Sequence, residues 1–148
     1  MLNLMDIFKK IKLPFFVNFE VYFDLGTSVT KMAIKDKGVI LREPTFLGYN
    51  NRIKDYSFTG TEAKTILGKT PEFIRVIRPI VNGVISDFDA EVFLLQKFLE
   101  RSVYLYSGNK MFKPMMTGIV TVPTIATEIE QKAVKEALEE NRHKVKLF

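Results

Sequence analysis

The 148-residue chain contains no cysteine, no tryptophan and a single histidine, His143. Without cysteine there is no disulfide and no thiolate metal site, and cysteine usage says nothing about the redox compartment. One histidine near the C-terminus excludes a His-rich metal cluster. No run of about 18 or more apolar residues is present, so no membrane-crossing helix is expected. Acid is short relative to base: 22 Lys+Arg against 17 Asp+Glu leave a net charge of +5. That balance suits an anionic partner such as a nucleotide, a nucleic acid or an acidic lipid. The basic residues are scattered and not gathered with aromatics into one patch, which argues against nucleic acid. Core material is ample. Hydrophobic residues make up 47% of the chain and charged residues 26%, a globular composition at about the length of one domain.

The most informative stretch is Asp24-Leu25-Gly26-Thr27-Ser28-Val29-Thr30-Lys31. It lies between two runs that alternate as strands do, residues 19–23 and 30–35. An acidic residue at a strand end, then a glycine and two hydroxyl residues, predicts a tight turn rich in N–H and O–H donors. Gly26 has no Cβ, so its backbone is free to take positive φ or to approach a bulky anion. Successive N–H groups in such a turn form an anion-binding hollow. Asp24 suits a magnesium ion held through water, because magnesium keeps several of its waters. The same octapeptide also fits an ordinary hairpin turn, with Asp and Gly supplying geometry and Thr and Ser capping it.

Residues 1–13 place Met1, Leu4, Met5, Ile7, Phe8 and Ile11 on one helical face, opposite Asn3, Asp6, Lys9 and Lys10. Pro14 ends the pattern. A short lysine-bearing amphipathic helix has the form of an interfacial membrane anchor; packing on its own domain is the other reading. Beyond the glycine turn, strands are predicted at 38–41, 45–49 and 56–58. Thr61 is placed to cap a short helix through Leu67, closed by Gly68. Ser86 with Asp89 has capping-box spacing and opens a longer helix, whose Phe88, Val92, Leu95 and Leu99 read as core. In the loop before the next strand, Met111 and Phe112 are flanked by Lys110 and Lys113, a pattern open to a lipid contact or to the core. Residues 119–122 read as a buried strand stopped by Pro123. A last helix is predicted from Thr127 to about Asn141, with Ile129, Ala133, Ala137 and Leu138 inward and a Glu128–Lys132 pair outward. Thr127 and Glu130 have capping-box spacing. Glu130 therefore either binds the first free N–H of that helix or aims at a water beside the phosphates of the first turn. The order of elements is mixed α/β.

Several of these segments, in register, resemble the MreB family of bacterial actin homologues, in the actin/Hsp70/sugar-kinase superfamily. Asp24-Leu25-Gly26-Thr27 with Thr30 resembles its first phosphate loop, and 38–44 its next strand and turn. Residues 63–71, then Ile77-Arg78-Pro79 leading to 83–88, match further on. Val122-Pro123 with Thr127, Ile129, Glu130 and Ala133 resembles the segment that carries the family's catalytic glutamate. The resemblance implies an actin-like (ribonuclease-H-like) α/β fold, with subdomain IA and a smaller inserted subdomain IB at roughly 43–78. Residues 1–16 would be a membrane-binding segment and 17–148 the N-terminal-side half of an ATPase domain, the C-terminal half being absent. It further implies a cell-shape-determining protein that binds ATP and Mg2+ and forms filaments guiding cell-wall synthesis. Such a protein is cytoplasmic, peripheral on the inner face of the cytoplasmic membrane, and works with cell-wall elongation proteins. Carried over by position, Gly26, Thr27, Ser28, Val29, Thr30 and Lys31 form the phosphate cradle. Asp24 acts on magnesium through water, and Glu130 positions or polarises the attacking water. Residues 1–13 and the Met111-Phe112 loop are the implied membrane contacts.

Two residues depart from that pattern. Val29 stands where the family usually has Asn, and Lys31 where it usually has an apolar residue. Ser28 with Lys31 looks more like the loops of FtsA-type and PilM-type membrane adaptors, which makes a nucleotide-binding adaptor the alternative function. The signals for a second phosphate loop and an adenosine pocket are missing, so the chain is expected to be a truncated portion that binds ATP weakly or not at all.

Overall fold

The computed structural model describes residues 18–107, 114–141 and 144–148. The proposed lipid contacts at Met1, Leu4, Met5, Ile7, Phe8, Ile11, Met111 and Phe112 lie outside the described residues.

Alternation builds the main sheet. In β1 (Asn18–Leu25) Val21 and Phe23 turn inward, and in β2 (Val29–Ile34) Thr30, Met32 and Ile34 do. Residues of one parity share a face, so each strand presents one apolar side to a common core. β3 (Gly38–Pro44), β9 (Met115–Val120) and β10 (Lys144–Leu147) complete a five-stranded sheet in the order β10-β9-β1-β2-β3. β1, β2 and β3 form an antiparallel meander, whereas β1, β9 and β10 run parallel. Between β3 and β9 lie β4 (Leu47–Asn50), β5 (Asp55–Thr59) and β6 (Ile74–Ile77), an antiparallel sheet in the order β5-β4-β6. The short helix α1 (Thr61–Thr65) falls between β5 and β6, and the hairpin β7 (Ile80–Val81) and β8 (Val84–Ile85) follows.

Two helices cover the main sheet. α2 (Phe88–Arg101) buries Ala90, Leu94, Leu95, Phe98 and Leu99, and α4 (Glu128–Glu139) buries Val134, Ala137 and Leu138. These side chains share one core with Val21, Phe23, Met32, Ile34 and Val120 of the sheet. A one-turn helix, α3 (Val103–Tyr106), continues from α2.

Several elements differ from the sequence reading. The strand expected at 119–122 is Met115–Val120, because its partners Asn18–Phe23 fix the register from the other end. Lys144–Leu147 escapes a reading from periodicity, since four residues alternating with lysine look like a solvated tail. Thr61 does not cap α1. Its N–H and hydroxyl donate to Glu43 Oε2 at 2.8 and 2.7 Å, so a distant carboxylate serves that end while Gly60 occupies the cap position. Asp87, not Ser86, caps α2, accepting from Ala90 N–H at 3.1 Å. Ser86 is spent on the hairpin base, its N–H and hydroxyl both donating to Pro79 O. Leu95 and Leu99 are core as expected, but Phe88 and Val92 sit at its margin. Ile129, placed inward from its spacing, is 82% exposed, and Val134 takes the inner position. Lys132 pairs forward with Glu136 at 3.5 Å, not back with Glu128.

Candidate functional site

Because β1 and β9 run parallel with Phe23 opposite Val120, both release the chain at the same sheet edge. One leads into the turn at 26–28, the other into the segment at 121–127 that opens α4. The carboxyl ends of adjacent parallel strands are where α/β folds generally bind ligands.

The turn is braced from below. Thr45 Oγ1 donates to Gly26 O at 2.6 Å, which uses its one hydrogen. The 2.9 Å contact between the Thr30 and Thr45 hydroxyls is then donated by Thr30. Thr45 N–H donates to Ser28 O at 3.1 Å. The carbonyls of Gly26 and Ser28 are thus directed at Thr45, while the Thr27 and Ser28 N–H groups have no acceptor among the described residues. Gly26 is needed for closeness and not for φ: a Cβ there would meet Val29 O at 2.6 Å, and its φ is not positive. Thr30, expected in the phosphate cradle, is fully buried, so its side chain supports the turn and does not reach a ligand. Val29 is half-buried in β2 opposite Pro44.

Thr27 is oriented by a second segment. Its Oγ1 accepts from Gly83 N–H at 2.9 Å, which leaves the hydroxyl hydrogen for a ligand. Gly83 has φ +79° and Asn82 φ +53°, the paired positive values of a type I′ hairpin turn. A Cβ on Gly83 would lie 3.6 Å from Pro123, so the hairpin tip sits between the turn at 26–28 and the segment leaving β9. Asn-Gly between two short apolar pairs is the signal that could have located this hairpin. Thr45 carried no such signal, because in sequence it reads as strand.

Asp24 and Lys31 face each other across β1 and β2, and Lys31 Nζ lies 2.8 Å from Asp24 Oδ2. Both side chains are about half exposed. Among the described residues no group of three or more His, Asp or Glu side chains is placed to hold a metal. A lone exposed carboxylate fits a magnesium ion only through that ion's water and a ligand's phosphates.

Glu130 forms the reciprocal cap. Its Oε2 accepts from Thr127 N–H at 2.7 Å, and its own N–H donates to Thr127 Oγ1 at 3.3 Å. The capping reading of Glu130 is therefore realised, on the same sheet edge as the turn.

One acidic group went unnoticed in the sequence. Glu91 is fully buried on α2 and neither of its carboxylate oxygens has a hydrogen-bond partner. Burial pushes its carboxyl up to about 8, so it is uncharged at neutral pH. A carboxylate on a helix normally marks the solvent face, which is why spacing did not flag it.

Comparison with known proteins matches residues 18–147 to the family described as MreB/Mbl protein. The cell shape-determining protein MreB of Haemophilus influenzae is 38% identical over 135 residues, 88% of this chain and 37% of that protein. The cell shape-determining protein Mbl of Bacillus subtilis is 34% identical over 122 residues, 82% of this chain and 35% of that protein. Among solved structures, MreB5 of Spiroplasma citri bound to ADP superposes with a TM-score of 0.74 at 29% identity, over 89% of this chain and 38% of that one. The same MreB5 bound to AMPPNP gives 0.74 at 28%. The MamK double helical filament, at 16% identity and TM-score 0.66, shares the fold. The chain thus spans little more than a third of the relatives it matches, and the family match favours the shape-determining reading over the adaptor one. The actin-like fold and the match across 18–147 together place the chain in the MreB/Mbl family of cell shape-determining, actin-like proteins.

Proposed function

We propose that this chain is the phosphate-side half of an ATP-binding, filament-forming cell-shape protein that works on the inner face of the cytoplasmic membrane. The observation that carries the nucleotide part is the braced turn, with the Thr27 and Ser28 amides and the Thr27 hydroxyl hydrogen without an acceptor among the described residues, at the carboxyl edge of β1 and β9. Related structures with ADP and AMPPNP support nucleotide as the ligand class. In this reading Gly26, Thr27 and Ser28 hold phosphate through backbone N–H and the Thr27 hydroxyl, while Thr30, Thr45 and Gly83 hold the turn. Asp24 would hold magnesium through water, and that ion would supply charge neutralisation on the phosphates. Glu130 would orient the attacking water once the cleft is complete. The sheet of β4, β5 and β6 is the small inserted subdomain, residues 1–16 and the Met111-Phe112 loop meet lipid, and filaments guide cell-wall elongation proteins.

Well-formed nucleotide sites bury most of their ligand, and the described residues supply one wall. ADP added to the isotope-labelled chain should therefore shift the amides of Gly26, Thr27, Ser28 and Gly83 first, with an affinity weaker than about 100 μM. Shifts elsewhere with these residues unmoved would overturn the site, and micromolar ATP affinity by calorimetry would overturn the half-site reading.

A further inference from the structure

The end of the main sheet away from the turn at 26–28 holds a recess of about 280 Å3 that the nucleotide reading does not use. It is lined by Asn18 and Glu20 of β1, Thr117 of β9, and Lys35, Asp36 and Lys37 between β2 and β3. Its charged groups are of two kinds. Glu20 and Lys35 satisfy each other: Lys35 Nζ lies 3.5 Å from Glu20 Oε1, which also accepts from the Tyr22 hydroxyl. Asp36 and Lys37 have no ion-pair partner among the described residues, although they are neighbours in the chain. A tight turn carries them: Lys37 N–H donates to Ile34 O at 3.0 Å, and Asp36 takes φ +61°. One unpaired cation and one unpaired anion on the same lining match a ligand that carries both charges. A purely anionic ligand would meet the two carboxylates, and a purely cationic one the two lysines.

The surroundings indicate what such a ligand is attached to. Lys37 Nζ lies 5.9 Å from the centre of the Tyr106 ring, and Tyr106 packs edge-on against Phe19, which also lines the recess. Leu105, Tyr106 and Met115 are exposed, and Met115 is directly opposite Asn18 in the β1–β9 ladder. Tyrosine rings settle at the headgroup level of a membrane, and lysine stems lie along apolar surface with the ammonium in water. A polar recess beside open apolar side chains suits a molecule with a charged head and a hydrocarbon body.

We propose that this recess takes the phosphoethanolamine head of a phospholipid, with the phosphodiester on Lys37, the ammonium on Asp36 and the first acyl carbons on Leu105, Tyr106 and Met115. This rests on the lipid part of the preceding section and deepens it: residues 1–16 supply attachment, and the recess selects the headgroup. One such head binds with an affinity on the order of millimolar, too weak to hold the chain on a membrane by itself.

The test uses the labelled 148-residue chain, titrated with dihexanoyl phosphatidylethanolamine below its micelle concentration. The readout is the shifts of the Asp36, Lys37 and Met115 amides, with the choline and glycerol analogues as competitors. The choline head has no N–H to donate to Asp36, and the glycerol head has no cation at all. The ethanolamine lipid should therefore bind about threefold more tightly than either, the size of one exposed ion pair. Lys37→Met and Asp36→Asn should each lose about threefold for the same reason, and Lys37→Arg should keep most of the affinity, since the charge is retained. Asparagine tolerates positive φ, so Asp36→Asn leaves the turn intact. Glycerophosphoethanolamine, the same head without chains, should bind more weakly and leave the Met115 amide unmoved. Equal binding of the choline lipid, tighter binding of the glycerol lipid, or wild-type affinity in either Lys37→Met or Asp36→Asn overturns the proposal. Glycerophosphoethanolamine that binds as tightly as the lipid overturns it as well, because the ligand would then be a soluble molecule. The anchor reading fails separately: shifts that persist in a chain that does not sediment with liposomes remove the anchor and leave the recess standing.

Discussion

At the scale of single residues, the polar groups that matter most are the ones water does not reach. The Thr30 hydroxyl, the Thr45 hydroxyl and Gly26 O form one directed chain beneath the turn, and Thr30 and Thr45 are fully buried. Thr45→Val keeps the shape but strands the Thr30 hydrogen and the Gly26 carbonyl, and should cost about 1–3 kcal/mol. Urea unfolding measures that loss, and Thr45→Ser, which restores the hydroxyl, should recover most of it. Glu91 gives the second residue-scale prediction. Its carboxyl sits at about 8 in the folded chain against a reference value of 4.5, so between those values the folded state holds a proton the unfolded state has released. Stability from this group is fully present below pH 4.5, falls as pH rises toward about 8, and changes no further above it. The slope approaches about 1.4 kcal/mol per pH unit at most. In denaturant unfolding from pH 5 to 9, the wild type should lose stability with pH relative to Glu91→Gln. Parallel curves for the two proteins would show that Glu91 does not ionise in this range.

Elements were legible where one period ran long enough to bury one face. The alternation of 19–23 and 30–35 placed β1 and β2, and the 3.6-residue spacing placed α2 and α4. What escaped was set by contacts remote in sequence. Glu43 serves the start of α1, Ser86 is diverted to Pro79, and Lys144–Leu147 becomes a strand only because β9 is there to pair with. The site divided in the same way. Gly26, Thr27 and Ser28 were visible as a local motif, whereas Thr45 and Gly83 reach the turn from other elements and look ordinary where they stand. Gly83 makes that remote support testable. Gly83→Ala must hold a non-glycine residue at φ +79°, a cost of about 1–2 kcal/mol. It should also loosen the Thr27 hydroxyl, seen as broadened Thr27 and Gly83 amides and weaker ADP shifts at the turn. An unchanged Thr27 signal would mean the hairpin tip does not orient it. The cap of α4 is a separate case: Glu130→Ala should lower stability by about 1 kcal/mol through the lost bond to Thr127 N–H.

At the scale of the whole molecule, β1 has two working ends. Its carboxyl end leads into the turn at 26–28, and its amino end, Asn18, pairs with Met115. The segments before residue 18 and before Met115 therefore join the sheet at the same edge, the edge away from the turn. That edge carries apolar side chains in the open: Leu105 is 61% exposed, Tyr106 50% and Met115 55%. Tyr106 is anchored there by an edge-on contact with Phe19, their ring centres 6.4 Å apart. A strand of eight residues puts about 25 Å between the two ends. If lipid is met at one edge and phosphate at the other, the two bindings should be independent in this chain. The wild type should sediment with anionic liposomes, and a variant lacking residues 1–13 should stay in solution with its turn amides unshifted. Adding ADP should leave the sedimented fraction unchanged, because no lipid-facing group takes part in the turn. Loss of sedimentation on adding ADP would mean that the edges are coupled through the sheet, and sedimentation that survives the deletion would move the lipid contact to the exposed edge itself.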